Sequence, residues 1–171
     1  ANSWLGMVLA EINRVPDHED GGARTSVQRV QTVLNEALAR VQNELFDLGA
    51  ELACPPEALP EYMVLLSQGQ TDVLMAEMDA WLTTLPELTS FILPAGSPPV
   101  ACLQVARTVV RRLERDIVQL QEHEGEGAVR PLVKVYVNRL SDWLFVMGRW
   151  VSTMLNEEEA LWVPLGKRPA E

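Results

Sequence analysis

Lysine is nearly missing from this chain: of 14 basic residues only Lys134 and Lys167 are lysine, against 24 Asp and Glu, and the formal net charge is −10. That balance excludes binding along a nucleic-acid backbone, which needs surplus Lys and Arg to replace phosphate counterions. Cysteine is scarce too. Cys54 and Cys102 stand far apart with no CxxC pair, so no disulfide framework of the secreted type is present, and a reducing cytoplasm is the expected location. Histidine is limited to His18 and His123, both in polar stretches, and neither has a Glu three positions before it. Imidazole acid–base catalysis and a di-iron bundle site are thereby disfavoured. GxxxxGKS/T, GxGxxG and GxSxG are all absent, which removes the usual phosphate-loop, dinucleotide and hydrolase signatures. No apolar run approaches the ~20 residues that span a bilayer, and no basic stretch precedes an apolar one at the start, so neither membrane span nor signal segment is predicted.

What is present is helix. A chain of 171 residues, 47% of them hydrophobic, suits one domain over 1–171 with a continuous core. Trp4, Leu5, Met7, Val8 and Leu9 already read as the middle of a helix, and with Ala1 in place of Met this predicts an upstream segment. From Thr25 to Ala53 apolar residues recur in steps of three and four, through Val27, Val30, Leu34, Ala37, Val41, Leu45, Leu48 and Leu52. Pro55 and Pro56 end that helix. A third helix is predicted over 70–85, stopped by Pro86. Three prolines and a glycine then deny regular structure to residues 88–99, although an apolar Phe91-Ile92-Leu93 triplet sits among them. Ser97 as a hydroxyl N-cap and Pro98 in the first turn open a helix to about Gln121, with its seam on Leu103, Ala106, Val110, Leu113, Ile117 and Leu120. The last helix, 131–155, repeats apolar residues most regularly. Because Tyr136, Trp143, Phe145 and Trp150 lie off its seam, it should be touched on several sides, as a central helix or an oligomer contact. The fold class is all-α, an up-down bundle of four to five long helices.

The scarce basic charge is concentrated. Arg107, Arg111, Arg112 and Arg115 fall within nine positions. At roughly 100° per residue Arg107, Arg111, Glu114 and Arg115 share one arc beside the apolar seam. Two readings fit this face: a solvated surface laced by i,i+4 ion pairs, or a polyphosphate clamp, since the guanidinium fork grips phosphate oxygens bidentately and stays charged. Asn138 and Asp142, one turn apart on an apolar helix, also need partners. They either satisfy neighbouring backbone and ion pairs with Arg139, or Asn138 is a nucleotide ligand.

Three stretches, SFILPAGS (90–97), LQVARTVVRRLER (103–115) and YVNRLSDWLFVMGRW (136–150), resemble in order and spacing the FILPGGS, LHxARTxxRRAER and YLNRLSDxLFxxAR motifs of the PduO-type ATP:cob(I)alamin adenosyltransferases. FDLGAELA (46–53), MDAWLTTLPEL (78–88) and ANSWLG (1–6) are similar to the family as well, so the resemblance covers nearly the whole chain. It implies a homotrimer of helical bundles with ATP, accompanied by Mg2+, and cobalamin meeting between subunits. It further implies ATP contacts from Arg111, Arg112, Glu114, Arg115 and Asn138, with Arg107 and Arg111 as the catalytic arginines, Arg107 pairing across the interface with an Asp of the family motif DELNS. Phe91 matches the aromatic residue that occupies the lower corrinoid face and excludes the axial base. A cobalt reductase and an adenosylcobalamin-dependent enzyme are further implied partners.

Departures from the family pattern are Gln104 for His, Ala95 for the second Gly of PGGS, Leu113 for Ala, and the Pro98-Pro99 doublet. The family's TRTGDxGxT phosphate loop and the Asp of DELNS have no counterpart here, and the chain starts just after that Asp, which predicts poor ATP binding by the chain as it stands. The implied chemistry, attack of cob(I)alamin on the 5′ carbon of ATP with triphosphate leaving, asks the protein only to position groups and stabilise charge. A helical module whose arginine face binds an acidic partner, and a cobalamin carrier without turnover, are the alternatives.

Overall fold

In a computed structural model that describes residues 1–16 and 21–167, those residues form five α-helices: α1 (Asn2–Ile12), α2 (Gly21–Leu52), α3 (Gln68–Leu82), α4 (Pro98–Glu124) and α5 (Pro131–Met154). His18 lies outside the described residues. The predicted all-α class holds, with one isolated bridge between Ile92 and Leu161 as the nearest thing to a sheet. No helix among the described residues is long and apolar enough to cross a membrane.

The predicted centre is α5. Val133, Val137, Leu140, Leu144, Met147 and Val151 are all buried, and so are Tyr136, Trp143 and Trp150. Its apolar girth is explained by its neighbours, because α5 packs against α4, α3 and α2, while α1 fills the space between α2 and α4. All five helices feed one buried cluster. Full burial of a side chain such as Leu140 contributes about 1.5–3 kcal/mol, so this seam is the main source of cohesion. On the α3 side Trp81 stacks on Trp150 at 5.6 Å and tilts against Trp143 at 5.7 Å.

Polar side chains tie the outer helices to α5. The Tyr136 hydroxyl donates to Glu44 Oε2 (2.6 Å), Arg40 bridges Glu44 (3.1 Å) and Glu77 (2.7 Å), and Trp143 Nε1 donates to Glu77 (2.7 Å). This closed chain joins α2, α3 and α5 without leaving a buried donor idle. Two acceptors raise the pKa of Arg40: burial works against its charge, but Glu77 and Glu44 outweigh it. At the other end of α2, Arg130 forks onto Glu51 at 2.6 and 2.7 Å.

Helix ends depart from the sequence reading in physically legible ways. α3 starts at Gln68, two residues early, because Ser67 and Gln70 form a capping box. It stops at Leu82, three residues short of the predicted end, where the Thr83 and Thr84 hydroxyls bond back to the carbonyls of Ala80 (2.7 Å) and Trp81 (2.8 Å). α4 runs past Gln121 to Glu124, and Gly125 turns the chain at φ 96. The expected hydroxyl cap of Ser97 does not form: its Oγ is buried without a partner, and the Ser97 backbone N–H donates instead to Glu157 Oε2 at 3.0 Å. Pro99 leaves a capping hydroxyl one amide, that of Val100, in place of the usual two.

Candidate functional site

Along α4 the arginines stand in a row on its outward side. With a rise of ~1.5 Å per residue, Arg107 sits about 14 Å from the helix start and Arg115 about 12 Å beyond it. Arg107 is half-buried, and its guanidinium lies 4.9 Å over the ring of Phe145 on α5, a cation–π contact that fixes its direction. Its pKa is lowered, first by burial and then by Arg111, with Asp142 acting in the opposite sense. Arg111, Arg112 and Arg115 are exposed.

Glu114 points the other way, toward α5, where it accepts from Asn138 Nδ2 at 2.9 Å. Arg139 pairs with Asp142 at 3.3 Å on the same helix. The i,i+4 ion-pair reading of the arginine face is therefore not what forms. Among the described residues no carboxylate pairs with Arg107, Arg111, Arg112 or Arg115, and the one acidic residue in their arc is engaged by Asn138. Arg111 is near enough to Arg107 to lower its pKa, and Arg112 acts on the Ala1 amino group at the start of α1.

A shallow depression of about 350 Å³ lies beside them, lined by Glu114, Arg115, Val118 and Gln119. A larger cleft of about 580 Å³ runs between the end of α2 and the turn after α4, but its charged lining is Glu57, Glu124 and Glu126 and it contains none of the candidate residues. Like charge makes that cleft a poor seat for a phosphate chain.

Phe91 stands at the α4 start, in the loop between α3 and α4, and is 77% exposed. The Trp162 ring meets it edge-on, 5.9 Å away at 69°.

A model of the cobalamin adenosyltransferase family matches residues 1–151. This chain belongs to that family. The corrinoid adenosyltransferase of Mycobacterium bovis is 41% identical over 150 residues, covering 87% of this chain and 76% of the relative, and that of Bacillus subtilis is 36% identical over 151 residues, covering 88% and 68%. Among solved structures, a variant PduO-type ATP:corrinoid adenosyltransferase from Lactobacillus reuteri, complexed with cobalamin and ATP, superposes with a TM-score of 0.76 at 30% identity, covering 94% of this chain and 79% of that one. The family match spans Phe91, the α4 arginines and Asn138, and it ends before the chain returns from α5.

That return is what sequence reasoning missed. Residues 156–162 run back across the Phe91 loop, and Arg149, only 4% exposed, is held by Glu159 and by the carbonyl of Pro86. The signal was faint: an arginine inside an otherwise buried helix, and a run of three glutamates starting eight residues after it.

Proposed function

We propose that this chain transfers the 5′-deoxyadenosyl group of ATP to the cobalt of cob(I)alamin, giving adenosylcobalamin and triphosphate. The observation that carries the reading is the row of arginines without carboxylate partners on α4, flanked by the Asn138–Glu114 bond, in a member of this family. The cobalt supplies the electron pair for the new Co–C bond, the C5′–O bond breaks, and triphosphate leaves with the other pair. No proton is transferred, so no side chain has to serve as acid or base. The protein's work is orientation and charge stabilisation.

In this reading Arg107 and Arg111 stabilise the departing triphosphate, Arg115 extends the same positive strip, Arg112 adds an ATP contact from the neighbouring face of α4, and Asn138 with Glu114 holds the nucleoside end. Arg107 suits the role because the Phe145 ring keeps its charge aimed while leaving its N–H donors free of a competing carboxylate. Magnesium enters with the nucleotide, bound to the phosphates of ATP. Phe91, exposed and apolar, faces the lower side of the corrinoid, where it displaces the axial base and makes the cobalt easier to reduce.

A homotrimer with the site between subunits completes the proposal. Its support is apolar surface on the two helices nearest the site: Trp4 and Met7 of α1, and Val105 and Val118 of α4, are exposed alongside the arginines. Sedimentation analysis tests it, and a monomer at all concentrations would refute it. The function is tested by adding ATP and magnesium to the full-length protein with chemically reduced cobalamin and following corrinoid absorbance. Conversion that falls in Asn138→Ala supports it; cobalamin binding without conversion would assign a carrier instead.

A further inference from the structure

The loop from Pro86 to Ser97 has little of its own to hold it. Phe91, Leu93, Pro94, Ala95 and Gly96 are exposed, and none belongs to the core. Its anchors come from the chain after α5. There Asn156 adopts φ 57, the Glu157 N–H reaches back to Ser152 O (2.8 Å) and the Asn156 N–H to Thr153 O (3.1 Å), a Schellman turn that sends the chain back over the loop. The Glu157 carboxylate then accepts from the Ser97 N–H at 3.0 Å. The Leu93 N–H donates to Ala160 O and the Trp162 N–H to Phe91 O, both at 2.7 Å, and the Ser90 hydroxyl donates to Trp162 O at 2.9 Å.

A pairing of this kind, two short exposed segments side by side, is marginal in water by itself. What fastens it is buried. Arg149 donates to Glu159 through Nε (2.7 Å) and Nη2 (3.2 Å), and the same Nη2 donates to Pro86 O at 2.8 Å. One guanidinium on α5 thus holds the first residue of the Phe91 loop and the strand of chain that covers it. Bidentate geometry adds direction as well as strength, and an ion pair fixed in this way defines position more than it adds stability.

We propose that Arg149 and Glu159 are positioning residues for Phe91, acting through residues 157–162 as a strap that holds the Phe91 backbone. The proposal rests on the reading that Phe91 faces the corrinoid. Loosening the strap lets the ring leave its place, so that the axial base of bound cobalamin returns to the cobalt.

The test compares the wild-type chain, Glu159→Gln, Phe91→Ala and their combination. The first readout, without corrinoid, is amide hydrogen exchange at Leu93 and Trp162, expected to quicken roughly tenfold in Glu159→Gln as a charge-assisted bond is lost, with Val110 in α4 unchanged. The second is the fraction of bound cob(II)alamin lacking its axial base, read by electron paramagnetic resonance in the presence of ATP. It falls in Glu159→Gln and in Phe91→Ala, and the combination is no worse than Phe91→Ala alone. Unchanged exchange at Leu93 overturns the strap. Faster exchange with an unchanged axial-base fraction, while Phe91→Ala lowers it, overturns the positioning role. If Phe91→Ala leaves the fraction unchanged, the corrinoid reading of Phe91 fails first and the proposal with it. Should Glu159→Gln not fold, Arg149→Lys takes its place: it keeps the charge but loses the fork that reaches both Glu159 and the Pro86 carbonyl, and no change in either readout would refute the proposal.

Discussion

Replacing Tyr136 by phenylalanine removes one oxygen from the middle of α5 and nothing else. The ring is fully buried, so its volume is kept and no cavity opens. What disappears is the 2.6 Å bond to Glu44, which still keeps Arg40 at 3.1 Å. Bonds to charged groups are worth about 1.5–3 kcal/mol, so the expected cost at neutral pH is ~2 kcal/mol. The same bond carries a pH signature. Burial first, and then the Glu44 carboxylate, raise the phenol pKa well above its ordinary 10.0. Because the folded value is the raised one, the contribution is complete below pH 10.0 and is lost as pH climbs beyond it: the unfolded chain releases the proton and the folded chain does not. One unit above the ordinary value this loss is about 1.4 kcal/mol. The wild-type chain suffers it and the phenylalanine variant does not, so the cost of Tyr136→Phe should shrink from ~2 to roughly 0.6 kcal/mol between neutral pH and pH 11. Urea unfolding of both chains at one protein concentration and the two pH values measures this. An equal cost at both pH values would refute the reasoning, since it would mean that the phenol ionises alike in the folded and unfolded chains.

Three further outcomes are expected. Arg111→Ala removes an exposed side chain without a carboxylate partner, so stability should move by less than about 0.5 kcal/mol, while adenosyl transfer falls about 10²–10³-fold through loss of charge opposite the leaving group; kcat and chemical unfolding on the same preparation separate the two. Phe91→Ala should lose far more activity when reduction of cob(II)alamin limits the rate than when cob(I)alamin is supplied chemically, as paired assays with and without a strong reductant would reveal. Gly96→Ala forces a side chain into φ 119 with its Cβ 2.8 Å from Val100 Cγ1, which should cost about 1–3 kcal/mol in thermal unfolding by straining the turn into α4.

The bundle was legible because periodicity is local. Steps of three and four on α5 gave its buried seam, and the aromatics off that seam, Tyr136, Trp143 and Trp150, announced a helix surrounded on several sides. The arginine row was visible for the same reason, although its pairing was not: Glu114 turns to Asn138, a partner on another helix, where i,i+4 spacing suggested Arg. Buried polar partners resist reading in general. Glu44 meets Tyr136 and Glu51 meets Arg130 from separations of 92 and 79 positions, and composition does not show which carboxylate will face which donor. The strap was hidden differently, since residues 156–162 have no period and owe their course to one left-handed asparagine and one buried arginine.

In the proposed reaction C5′–O cleavage of ATP is coupled to Co–C bond formation. Its most direct measurement is the ratio of products after cob(I)alamin, ATP and magnesium are incubated with the protein: adenosylcobalamin by absorbance, and phosphate species by anion exchange. Intact triphosphate in equal amount to adenosylcobalamin is the expected result. Orthophosphate or pyrophosphate without adenosylcobalamin, or no turnover while cobalamin binds, would contradict it.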